Sequence, residues 1–209
     1  MYRFHPTPDG FVSRVSTDER SILLRLVQDV AELIADQDEP PVPPGPSELS
    51  TDPIAHLDFE PHEGEADHLD LDPALERIFP PMSISDPELA AELRGLTLGE
   101  IRRGKISNLW LVAESLREGR DGVLVRTADV ANWLAALTDL RLVLASRLGI
   151  EDDESAEAVY ELAVSATNDP TPAETGDDDM RLALASLYSG VTWWQESLLS
   201  ALARGKERA

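Results

Sequence analysis

The stretch that most narrows the choice of fold is ANWLAALTDLRLVLASRLGI, residues 131–150. With Val130 before it, Trp133, Leu137, Leu140, Leu144 and Leu148 recur at steps of three and four. That spacing places them on one side of an α-helix, where a long apolar stripe must be covered by other elements. Gly149 suits the stop. Other segments repeat the pattern. Ile22, Leu23, Leu26, Val27, Val30, Leu33 and Ile34 form a face behind Ser16 and Glu19, which stand at capping-box spacing. Asp72-Pro73 opens a short helix that stops at Pro80-Pro81. Ser85-Asp86-Pro87-Glu88 opens another, expected to end at Gly95. A second capping box, Thr97 and Glu100, then starts a helix over 98–118 with Leu98, Ile101, Leu109, Val112 and Leu116 on one face. Residues 151–167 and 178–204 read as two more helices, the first behind an acidic turn that suits its dipole.

Two regions break the helical rhythm. YRFHPTPDGFVSRV, residues 2–15, reads as two strands around Pro-Asp-Gly. The run at 122–126 is β-rich and offers a third short strand. The fold class is therefore mainly α, a helical bundle with a small N-terminal β-hairpin. The second region is residues 36–71, where five prolines fall between 40 and 46 and carboxylates crowd. Such composition extends the chain and repels compaction. The organisation expected is a hairpin and first helix at 1–35, an acidic Pro-rich insertion or linker at 36–71, and a helical core at 72–209 that forms one domain with 1–35.

Charge and composition remove several function classes. Net charge is −22, and no Lys or Arg occurs between Arg25 and Arg77. Residues 36–76 hold 13 of the acids, so much of the excess sits in one segment. Direct nucleic-acid binding is disfavoured, because phosphate backbones require clustered cations. IRRGK, with Arg102, Arg103 and Lys105, is the lone candidate cluster, and a packed helix end explains it. There is no cysteine, which excludes disulfides, thiolate metal sites and thiol chemistry. His56, His62 and His68 recur every six residues among carboxylates, a spacing that fits neither a helix face nor a strand face. No metal site and no cofactor are expected. Glycine loops for nucleotides and the metalloprotease and hydrolase motifs are absent, and all four histidines lie within the first 68 residues. With no leader-like start and no long apolar run, the expected location is cytoplasmic, away from membranes.

The remaining signal is TWWQES, residues 192–197. Neighbouring helix residues point about 100° apart, so both tryptophans cannot face one core. Trp194 belongs to the apolar side, and Trp193 points away from it, beside Ser197. An outward tryptophan is either packed by a further element or an anchor for another protein. Trp193, Ser197 and Trp110, which lies off the main face of its own helix, are the candidate partner-binding residues. Gln195 falls inside the apolar face and needs hydrogen bonds there, with Asn132 or Arg141 as the partners at hand. Lys105 lies amid an apolar face and can snorkel or pair with a carboxylate. The expected function is a non-enzymatic regulatory or interaction protein that self-associates. The competing reading is an enzyme with a polar pocket around Lys105, Arg141 and Gln195.

Four blocks carry a family resemblance: Asp72 to Pro80, Glu92 to Thr97, Trp133 to Ile150, and Gln195 to Leu198. In this order they resemble DUF2017, an actinobacterial family of about 200 residues commonly encoded near the adaptor of the Clp protease. Some members resemble oxidative-stress regulators that sense oxidants through a cysteine pair and act on transcription through a protein partner. The resemblance thus implies a partner in the transcription or Clp-protease machinery. This chain departs from that pattern in having no cysteine, so thiol sensing does not carry over. It departs again at Pro81-Met82-Ser83, where the family has a longer segment with Ala and Tyr.

Overall fold

The computed structural model describes residues 1–35, 72–80, 87–119, 122–168 and 176–206. The acidic segment at 36–71, with His56, His62 and His68, lies outside the described residues. Pro8 and Asp9 turn the chain between two antiparallel strands, β1 (His5–Thr7) and β2 (Gly10–Ser13), with Thr7 opposite Gly10. Gly10 has φ +141°, and a Cβ there would run into the Val125 carbonyl oxygen. Only glycine meets both demands. The third strand, β3 (Val123–Arg126), pairs antiparallel with β2, so the sheet order is β1-β2-β3.

Helix α1 (Thr17–Ala35) starts at the capping box read from sequence. Ser16 N donates to Glu19 Oε2 at 2.9 Å, and Glu19 N donates to Ser16 Oγ at 3.3 Å. Helix α2 (Pro73–Ile78) is capped by Asp72, whose Oδ1 accepts from Ala74 N at 2.8 Å. Helix α3 (Pro87–Glu118) departs from expectation, because the two helices read at 86–95 and 98–118 are one. An interior glycine costs about 1 kcal/mol relative to alanine, whereas a break strands the N–H and C=O groups of two new ends. The helix therefore runs on through Gly95 and Gly99. Its expected apolar face is also shorter than read. Leu109, Val112, Ala113 and Leu116 are buried, but Ile101 is exposed and Leu98 only half-buried.

A single 3-10 turn, Thr127–Asp129, leads from β3 into α4 (Val130–Arg147). All six stripe residues, Val130, Trp133, Leu137, Leu140, Leu144 and Leu148, are buried. Helix α5 (Asp153–Asn168) and helix α6 (Gly176–Lys206) follow. Packing runs from α1 to α3, α3 to α4, α4 to α6, and α6 to α5, with α2 laid across α4. Helix α4 is thus the central rod. Arg147 and Asp72 join α2 to the C-terminal part of α4, and Arg77 Nη1 donates to Ile150 O at 2.7 Å. The sheet closes one side through Phe4, Phe11, Val123 and Val125, all buried. Among the described residues no helix is long and apolar enough to cross a membrane.

Candidate functional site

The double tryptophan divides as helical geometry requires. Trp194 is fully buried and stacks on Phe4, with ring centroids 5.1 Å apart and planes 25° from parallel. It meets Trp133 edge-on at 5.5 Å. Its indole Nε1 donates to Ser13 Oγ at 2.9 Å, and Ser13 Oγ donates in turn to Tyr2 O at 2.5 Å. One buried polar chain thereby ties the N-terminal sheet to the last helix. Trp133 Nε1, in the same cluster, is buried without a hydrogen-bond partner among the described residues.

Trp193, one residue earlier, is 41% exposed. It sits one turn from Gly190, where an added Cβ would lie 2.9 Å from Met1 Cε, so the chain start passes close by. Ser197, placed beside Trp193 on an open face by the sequence reading, is instead buried. Its Oγ donates to Trp194 O at 2.8 Å and accepts from Phe4 N at 3.4 Å. The residues before β1 cover that side of α6, a tertiary contact that helix periodicity cannot foresee. Trp110 on α3 is 42% exposed, with the Arg117 guanidinium 5.6 Å from its ring centroid. Helix α4 stands between α3 and α6, so the two exposed tryptophans belong to different helices of the row.

Gln195 is buried and bonded on both ends of its amide. Its Oε1 accepts from Arg141 Nη1 at 2.8 Å, while Nε2 donates to Thr138 Oγ1 at 2.8 Å and Leu134 O at 3.1 Å. A primary amide inside an apolar seam fixes one packing of α6 on α4. Arg141 is half-buried, with its guanidinium 5.8 Å from the Tyr188 ring centroid. Asn132, expected among the buried polar residues near Gln195, is exposed and donates to Asn108 Oδ1 on α3 at 2.7 Å. It falls on the other side of α4, so it cannot reach α6.

Lys105 finds its carboxylate in Asp139, with Nζ 2.6 Å from Oδ1. Asp139 is 2% exposed, and its Oδ2 is buried with no hydrogen-bond partner among the described residues. Burial, the largest influence, pushes the Asp139 carboxyl above its usual range, against the opposing hydrogen bond and charge of Lys105. The Lys105 ammonium also lies 5.8 Å from the Phe79 ring centroid, just beyond α2. Sequence reasoning missed Asp139 as a buried residue, because it stands off the apolar stripe of α4. The side chain that meets it there is Lys105 of α3.

The three residues of a pocket-based reading therefore do not converge. Asp139 and Arg141 are two positions apart on α4, about 200° around the helix. Lys105 is engaged on one flank and the Arg141–Gln195 pair on another. A cavity of about 230 Å³ is lined by another set of residues, including Ser115, Glu118, Leu124 and Asp129. Among the described residues no cluster of three or more metal-ligating side chains occurs.

A family model described as a domain of unknown function, DUF2017, matches residues 1–202. No curated protein and no solved structure is detectably similar to the chain.

Proposed function

The chain belongs to the DUF2017 family, and we propose that it is a non-enzymatic, cytoplasmic regulatory protein that acts by binding another protein. One observation carries this reading: Trp193, adjacent in sequence to the most buried ring of α6, leaves 41% of its surface in water. Covering large aromatic surface is favourable by about 25 cal/mol per Å² of apolar area, and tryptophan is enriched where interfaces concentrate their energy. The polar groups around Lys105, Arg141 and Gln195 are spent on joining helices, which supports a scaffold over a reaction centre. The family resemblance points to transcription or Clp-protease components as partners, alongside a second copy of the chain.

The test uses Trp193→Ser as a control bait. Native protein should retain a specific partner from its host lysate, or self-associate in analytical ultracentrifugation, and the variant should lose this while keeping its helicity. A variant that unfolds makes the ring part of the core. A native bait that retains nothing the variant loses removes Trp193 as a docking residue.

A further inference from the structure

Helix α5 packs extensively on α6 alone among the described elements. It buries Val159 and Ala163 and half-buries Ala156 and Leu162. Its outer side carries Tyr160, 56% exposed, and Val164, exposed one turn later. At i and i+4 these two share a face. Beside them, at the same spacing, stand Glu157 and Glu161, both exposed. The helix carries no Lys or Arg, and among the described residues neither glutamate has an ion-pair partner.

Asp153 and Glu154, in the first turn, are favoured there by the helix dipole. Glu157 and Glu161 lie beyond that turn and repel each other, a loss of about 0.2–0.5 kcal/mol for such a pair. An exposed aromatic and a β-branched residue, flanked by unneutralised like charges, leave apolar surface in water beside uncompensated negative charge. We propose that the Tyr160–Val164 face of α5 docks a cationic amphipathic segment of a partner protein. The segment's apolar side chains cover Tyr160 and Val164, and its Lys or Arg groups meet Glu157 and Glu161. Charge selects this occupant. A second copy applied through the same face would set glutamate against glutamate, and phosphate-bearing surfaces are repelled by the same groups. This surface is independent of Trp193, and the inference goes beyond the reading built on that residue.

The experiment measures binding of a fluorescein-labelled amphipathic peptide of leucine and lysine to the full chain by anisotropy, at about 0.15 M salt. A glutamate-for-lysine version of the peptide is the control. Tyr160→Ser, or Val164→Ser if the first lowers helicity, should weaken binding roughly tenfold, and Glu157→Lys/Glu161→Lys at least as much. Glu114→Lys/Glu118→Lys on α3 changes the net charge equally and should stay within about twofold. Trp193→Ser should bind as the native chain does. Equal losses from the two charge-reversal pairs, no effect of either apolar substitution, or no binding of the lysine peptide would each overturn the proposal.

Discussion

The Lys105–Asp139 pair offers the sharpest test of how the bundle is held, because one partner is almost wholly buried and the other is about a fifth exposed. In Lys105→Met, Asp139 keeps its burial and loses its only hydrogen-bonded cation among the described residues. Breaking a buried pair by removing one partner costs about 3–5 kcal/mol. Solvent reaches the lysine and screens part of this, so a loss of about 2–3 kcal/mol is expected. The double variant Lys105→Met/Asp139→Leu removes the orphaned charge and should recover to within about 1 kcal/mol of native, as apolar replacements of buried pairs do. Both are read by urea unfolding followed through tryptophan fluorescence.

The pH dependence of the same variant follows from the direction of the Asp139 shift. Burial raises the carboxyl, and without Lys105 nothing of comparable size opposes it. A carboxyl raised on folding binds more protons folded than unfolded, so stability falls as pH rises from the usual value of 3.8 through the raised one. The deficit of Lys105→Met should accordingly be larger at about pH 8 than at about pH 5. A single-variant loss under about 1 kcal/mol, or a double variant no better than the single, would refute the reasoning, since either means Asp139 does not depend on Lys105.

Further outcomes can be checked by the same unfolding measurement. Ser13→Ala leaves Trp194 Nε1 buried without an acceptor and should cost about 1–3 kcal/mol, whereas Ser13→Thr should cost less if its hydroxyl keeps that bond. Gly10→Ala forces a Cβ against the Val125 carbonyl at a φ that L-residues avoid, and should lower stability by at least about 1–3 kcal/mol. Trp194→Ala removes the centre of the Phe4–Trp133–Trp194 cluster and should cost about 3–5 kcal/mol, while Trp193→Ser should stay within about 1 kcal/mol.

The parts legible from sequence were those set by local rules. The α4 stripe announced a buried rod, Ser16 and Glu19 announced a helix start, and Pro8-Asp9-Gly10 announced a turn; each depends on residues within a few positions of one another. The division of Trp193 from Trp194 was legible for the same reason, since it is helix geometry alone. What was not legible depends on elements distant in sequence. Ser197 is buried by residues near Phe4, Asp139 meets Lys105 of α3, and Asn132 finds Asn108 rather than Gln195 because it stands on the flank facing α3. The Thr97–Glu100 box was a true local signal overruled by the cheaper option of continuing the helix. Lys105 announced its need for a carboxylate without naming Asp139, because no period in the sequence states which helices become neighbours.

The bond from Trp194 to Ser13 spans 181 positions of chain, and β3 completes a sheet begun more than a hundred residues earlier. During synthesis the N-terminal hairpin therefore emerges long before the strand that flanks it and the helix that roofs it. Until α6 leaves the ribosome, Phe4 and Trp133 have no third ring, and the apolar stripe of α4 lacks one wall. Contacts of such long range slow folding and leave unfinished surfaces open to misassociation. The core around Phe4, Trp133 and Trp194 therefore closes only once α6 is in place.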